Sequence, residues 1–268
     1  MYIPEISSAD PNEQKQLNNL LEELKNSDSG LNHTLTALSN DLSANDFFFW
    51  LIVLENQIKY RYDPAQNNNL LDMKVSSQLK NLVLAMVQKP PTDLYQGPIQ
   101  TKLAVISVKI FICEYLTGWQ TFFIDMKNKS RTDFFLRVLE QVHSEVVDRS
   151  FDNLKTSQQH NHFTNLKDTM RDRDVSSIVE RLSEIVSCGQ QEEKRKALEV
   201  LAFYVSWIDI DLVINGPLTQ VCLGYLKDTF LRDKACGFFT SLVTKGMVPE
   251  TKIKFLMSIV PNLTHGLE

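Results

Sequence analysis

The sequence predicts an all-α fold, a HEAT-like helical-repeat solenoid in which antiparallel helix pairs stack into a right-handed superhelical arc. Three observations carry this. Only 9 Gly and 9 Pro punctuate 268 residues, too few turn residues for a sandwich or barrel of short strands. Apolar residues recur at helical rather than alternating spacing over most of the length. Successive helix pairs start near residues 11, 44, 98, 131, 174 and 217, roughly 33 to 54 residues apart, which brackets the ~40 to 47 of HEAT and armadillo units. Such a pair buries its apolar face only by stacking on its neighbours.

The elements follow in order. Leu17, Leu20, Leu21 and Leu24 form one stripe and predict a helix over about 11–26. A second helix follows Gly30 through Leu31, Leu35, Leu38 and Leu42, and Ser43 or Asn45 can cap the third. The third helix, FFFWLIVLENQIKYRY at 47–62, is apolar nearly all round at its start, as suits a helix flanked on more than one face. Asp63-Pro64 ends it. Its partner carries Leu71, Val75, Leu79, Leu82, Val83 and Met86 on one face.

Pro90-Pro91 and Gly97-Pro98 bracket a loop, and Pro98 is preorganised for the first turn of a helix running to Thr117, with Gly118 at its end. Lys109 and Glu114 interrupt its apolar stretch, which is too short to span a bilayer. A short amphipathic piece in WQTFFIDMK precedes a clean stripe of Phe135, Val138, Leu139, Val142 and Val146. Residues 149–166 are polar and read as a long inter-helix loop. Val175, Ile178, Val179, Leu182, Ile185 and Val186 make the next stripe, closed by Cys188-Gly189, and further stripes cover about 192–206, 217–226, 228–245 and 250–260. The expected organisation is one array of about six pairs, 1–43, 44–89, 97–128, 131–188, 190–227 and 228–262.

Composition narrows the function classes. A formal net charge of −5 leaves no global basic footprint, so any nucleic-acid contact must be local. The N-terminal MYIPEISSADPNEQ has early acids and no apolar core, unlike a signal or transit peptide, so the expectation is a chain made in the cytosol. Four dispersed cysteines, Cys113, Cys188, Cys222 and Cys236, read as reduced, with three of them small core residues.

No phosphate-cradling glycine loop, nucleophile elbow, H-E-x-x-H or C-x-x-C is present, so the chain reads as a binder and not an enzyme, with no metal or cofactor. His160 and His162 sit in a Gln- and Asn-rich stretch without a further ligand. Glu145 and Asp148 read as surface charges. QEEKRK at 191–196 reads as a solvated first turn with acids at the positive end of the dipole. Lys167, Arg171 and Arg173 can bring at least two cations to one rim for phosphate contact, yet Asp168, Asp172 and Asp174 alternate with them, and physics alone favours a self-neutralised surface.

Several stretches carry a likeness in the same order along the chain: FFFWLIVLENQIKYRY at 47–62, KLAVISVKIFICEYLTGWQTFFIDM at 102–126, FLRVLEQVHSEVVDR at 135–149, LKDTMRDRD at 166–174, YVSWIDIDLV at 204–213 and TKGMVPETKIKFL at 244–256. Through them the chain resembles the N-terminal part of the tRNA exportins of the importin-β (karyopherin) family, over about residues 45–260.

The resemblance implies a nuclear export receptor that binds tRNA cooperatively with the small GTPase Ran in its GTP form and shuttles as a monomer between nucleus and cytoplasm. Nuclear pore proteins are then further partners, and insertion into a membrane is not expected. Family members are several times longer, so the implied role is that of the first arc, which grips Ran and part of the tRNA. In such receptors the second helix of each pair lines the concave side, which makes Lys74, Gln78 and Asn81 the Ran-contact residues. Lys127, Lys129, Lys167, Arg171 and Arg173 are the residues implied for tRNA phosphates. A karyopherin with protein cargo and a HEAT scaffold without Ran dependence are the alternatives.

Overall fold

The computed structural model describes residues 10–26, 30–61, 73–89, 97–148 and 156–264. Within them the fold is all-α, with fourteen α-helices and no strand. The expected stop at Asp63-Pro64, the Pro90-Pro91 pair and Leu71 lie outside the described residues.

The first helices begin and end where local side chains take up free backbone groups. α1 (Pro11–Asn26) opens on Asp10, whose Oδ1 accepts the Asn12 amide at 2.9 Å, and buries Leu17 and Leu24. α2 (Gly30–Leu38) stops short of Leu42, contrary to the expected stripe. Ser39 Oγ donates to the Leu35 carbonyl at 2.8 Å and Asn40 Nδ2 to that of Thr36 at 2.9 Å, so side chains satisfy the last turn and release the backbone. Gly30 is required where it stands: a Cβ there would run into the Leu24 carbonyl and Gln57 Nε2. Gln57 is fully buried and donates to that same carbonyl at 3.1 Å.

α3 (Ala44–Arg61) is capped by Ser43, whose Oγ accepts the Asp46 amide at 3.2 Å and donates to its carboxylate at 2.8 Å. It packs against α1, α2 and α5 (Pro98–Glu114), which is why Phe47, Phe49, Trp50, Leu51, Val53, Leu54 and Ile58 are all buried. The charge interrupting α5 is answered across this contact, since Glu55 pairs with Lys102 at 2.6 Å and Lys109 at 3.9 Å. Gly97 takes a positive φ of 56° immediately before Pro98.

α4 (Met73–Val87) and α7 (Thr132–Val142) both pack on α5, and α6 (Phe122–Lys129) packs on α4 and α7. α5 ends at Glu114, earlier than expected, and a turn leads through Gly118. The Gly118 and Trp119 amides both donate to the Glu114 carbonyl, at 2.8 and 2.7 Å. Phe111, Tyr115, Trp119, Phe122 and Phe123 interlock there in edge and tilted contacts, each almost wholly buried. α7 continues as one π-helical turn, His143–Val147, that keeps Val146 buried beyond Val142.

From Ser157 on, the expected loop at 149–166 is corrected by α8 (Ser157–Arg173), and His160 and His162 therefore lie on a helix, while 149–155 lie outside the described residues. Thr156 and Gln159 form a reciprocal cap: the Gln159 amide donates to Thr156 Oγ1 at 3.3 Å and the Thr156 amide to Gln159 Oε1 at 3.0 Å. Phe163, Leu166 and Met170 then recur at helical spacing, with Leu166 and Met170 fully buried.

Residues Met1–Leu166 and Lys167–Glu268 form two compact units. In the second, α9 (Val175–Cys188) packs on α10 (Gln191–Val205), which packs on α13 (Arg232–Thr244). α11 (Asp211–Ile214) and α12 (Leu218–Gly224) lie against α9, and α12 also touches α14 (Pro249–Thr264). The first turn of α10 is more than a solvated face: Gln190 and Glu193 close a capping box, and Arg195 makes a bidentate pair with Asp233 at 2.6 and 2.7 Å across to α13.

All four cysteines are free thiols. The core reading fits Cys222, which is buried and whose thiol burial pushes up to about 12, and fails for Cys188 and Cys236, which are exposed. Cys188 is the last residue of α9, and Cys236 falls out of phase with the buried Ala235, Phe238, Phe239 and Leu242.

Candidate ligand-binding surfaces

Two polar anchors orient α4. Ser76 Oγ donates to the buried Glu114 carboxylate at 2.6 Å, and Lys80 reaches Asp125 at 3.4 Å while its ammonium lies 5.6 Å from the centre of the Trp119 ring. With Ser76 turned inward beside buried Leu79, Val83 and Met86, the opposite side of the helix faces out. Lys74, Gln78 and Asn81, at i, i+4 and i+7, are all exposed on it.

Asp125 is the hub of the adjoining turn. Trp119 Nε1 and Thr121 Oγ1 donate to its Oδ2 at 2.9 and 2.8 Å, and Lys129 pairs with its Oδ1 at 3.1 Å. Burial on its own would raise this carboxyl, but the bonds from Trp119, Thr121 and Lys129 and the charge of Lys80 outweigh it and hold the group at about 2. Lys129, one of the implied phosphate contacts, is thus part of an ion pair, and Lys127 beside it is half-buried.

The remaining implied cations belong to the second unit. Lys167 is half-buried, while Arg171 and Arg173 are exposed. Arg171 Nη1 pairs with Asp168 at 2.8 Å, and its Nη2 donates to the Trp207 carbonyl at 3.3 Å. Lys245 Nζ donates to the neighbouring Ser206 carbonyl at 3.4 Å. Burial lowers the Lys245 ammonium below its ordinary value; Asp209 opposes that, and the positive charge of Arg171 adds to it. Lys245 was not among the cations singled out in the sequence, where its only mark is the quoted stretch from Thr244 to Leu256. The contact with the α10 terminus joins residues 39 apart and has no local signature.

His162 is engaged with the fold, its Nε2 2.8 Å from the Ile112 carbonyl. Among the described residues no group of three or more His, Cys, Asp or Glu side chains could hold a metal ion, and no helix is long and apolar enough to cross a membrane. Glu145 accepts from Gln141 Nε2 at 3.0 Å on the π-helical turn.

A family model described as Exportin 1-like protein matches residues 96–239, which include α5 to α12 and the Arg171 and Trp207 contacts. Among curated proteins the chain is 33% identical over 220 residues to "Exportin-T" of Homo sapiens, covering 79% of this chain and 22% of that protein. It is 32% identical over 249 residues to "Exportin-T" of Mus musculus, covering 89% and 25%. To "Exportin-T" of Candida albicans it is 25% identical over 282 residues, covering 96% and 26%. The chain spans about a quarter of the length of these relatives.

Proposed function

We propose, from the premise that the chain belongs to the Exportin 1-like family, that it is the portion of a nuclear export receptor that engages Ran in its GTP form and part of a tRNA cargo. The observation that carries this reading is the family match over 96–239, together with relatives named Exportin-T. The exposed polar face of α4 beside that region supports a protein-binding role for Lys74, Gln78 and Asn81. Lys127, Lys129, Lys167, Arg171 and Arg173 are assigned to cargo phosphates within the same reading.

The receptor performs no chemistry of its own: hydrolysis belongs to the GTPase, and this chain distinguishes nucleotide states by shape. On this reading about six helix pairs serve as its repeat units, and small rotations between pairs let each of two ligands lower the ordering cost borne by the other. It shuttles as a monomer between nucleus and cytoplasm, with nuclear pore proteins as further partners.

The test is binding of this chain to Ran loaded with a non-hydrolysable GTP analogue against Ran loaded with GDP, with tRNA titrated in parallel at two salt concentrations. Preference for the GTP form supports the receptor reading. Equal or absent binding to both forms by a folded helical sample removes it in favour of a scaffold without Ran dependence.

A further inference from the structure

Three of the segments that carry the likeness to tRNA exportins, 166–174, 204–213 and 244–256, meet at the C-terminal end of α10. Arg171 comes from α8 and Lys245 from the residue after α13, and they donate to the carbonyls of consecutive residues, Trp207 at 3.3 Å and Ser206 at 3.4 Å. Carbonyls at a helix C-terminus carry the negative end of its dipole, and cations gather there. The helix end therefore holds two positive head groups side by side before any ligand arrives.

Each cation has a carboxylate near it, and a ligand phosphate would have to compete with both. Asp168 pairs with Arg171 from one turn earlier, but both side chains are about half exposed, at 52% and 40%, and such surface pairs are weak and readily exchanged. Burial is the main cause that lowers the Lys245 ammonium; Asp209 opposes it, and the smaller effect of the Arg171 charge adds to it, so the two cations act on each other with a carboxylate beside them. Of the five guanidinium donors and three ammonium donors, the described bonds use two on Arg171 and one on Lys245.

We propose that Arg171 and Lys245 form a two-pronged clamp for one backbone phosphate of bound RNA. The inference rests on the reading of the chain as an RNA export receptor, and it adds a residue, Lys245, and a stoichiometry of two cations to one phosphate. A phosphate between the head groups accepts from both and removes their mutual repulsion, and the partial burial of Lys245 strengthens the attraction. Lys167 lies one turn before Arg171 on the same helix, at i and i+4, and can add a second cation on that side, whereas Arg173, two residues on, faces elsewhere.

The experiment uses this chain with Ran bound to the GTP analogue and labelled tRNA as probe, with affinity measured across a salt series. Lys245→Gln is expected to weaken binding while leaving the slope of log affinity against log salt nearly unchanged, because Arg171 still neutralises the shared phosphate. Lys245→Arg is expected to keep the parental affinity. The double variant Arg171→Gln with Lys245→Gln is expected to make the slope shallower by about one, because both cations serve one phosphate and only their joint removal loses that contact. Far-ultraviolet circular dichroism and urea unfolding establish that each variant is folded.

A folded Lys245→Gln with the parental affinity overturns the clamp, leaving the two cations as a helix-end contact alone. A loss of about two in the double variant overturns the shared phosphate. Weakened capture of the GTPase with tRNA binding intact reassigns the pair to a protein carboxylate. If the parent chain prefers the GTP form of Ran but binds no tRNA at any salt, the clamp fails while the receptor reading stands; equal or absent binding to both forms of Ran removes the reading itself.

Discussion

Ser76 on α4 donates its hydroxyl to Oε2 of Glu114 at 2.6 Å, and both residues are buried. A buried carboxyl group is tolerated where it is hydrogen-bonded, and its loss of a partner leaves the cost of desolvation uncompensated. Ser76→Ala is therefore expected to lower stability by ~1–3 kcal/mol in urea unfolding. Gly118→Ala acts on the same carboxylate, because the added Cβ occupies the place of Glu114 Oε2 and lies 3.1 Å from Ser76 Oγ. The double variant should cost less than the sum of the two, since both break one bond. Strict additivity would separate Gly118 from the Ser76–Glu114 pair.

Asp125 predicts a pH dependence with a definite sign. Its carboxyl lies at about 2 in the fold against an ordinary 3.8, so the folded state favours the charged form. The stabilisation is complete above the unfolded value and is lost as pH falls through the folded one. Asp125→Asn has no such titration. The gap in urea midpoint between parent and variant should be widest above about pH 4 and close toward pH 2, following the two limits. A gap that stays constant across that window would dissociate the Trp119, Thr121 and Lys129 bonds from stability.

The helices that bury a continuous stripe were legible in the sequence, because burial on one side imposes a 3.6-residue period whatever the neighbours are. Phe135 to Val146 and Val175 to Val186 behave this way, and so does the all-round apolar start of α3. α8 was missed because its stripe is sparse, one apolar residue per turn at Phe163, Leu166 and Met170 in a polar setting. Its signal was the cap, Thr156 with Gln159 three residues on. The exposed face of α4 could be assigned by phase, whereas Lys245 beside Arg171 could not. That neighbourhood exists only once α8, α10 and α13 have packed, and no spacing within one element encodes it.

The α4 face separates binding from folding. Lys74→Glu combined with Gln78→Ala and Asn81→Ala changes exposed side chains only, so the unfolding free energy should move by no more than ~0.5 kcal/mol. Affinity for the GTP form of Ran is expected to fall at least about tenfold, or ~1.4 kcal/mol. A triple variant that retains full affinity would place the contact on another helix. Lys80→Gln is a useful contrast, because it releases the anchor to Asp125 and should lower stability as well.

The cap on α8 makes the last prediction local. Thr156→Ala removes the oxygen that accepts the Gln159 amide and breaks the reciprocal pair, with an expected cost of ~0.5–2 kcal/mol. Because Leu166 and Met170 anchor the helix farther along, the damage should be confined to its first turns. Amide hydrogen exchange should then speed up at His160, whose amide donates to the Thr156 carbonyl at 2.9 Å, while the amide of Asp174, bonded to the Met170 carbonyl at 2.9 Å, stays protected. Equal acceleration at both would mean that the helix melts as a unit and that the cap, more than the buried side chains, holds it. Unchanged protection at His160 would mean the reverse, with the buried side chains alone fixing where α8 begins.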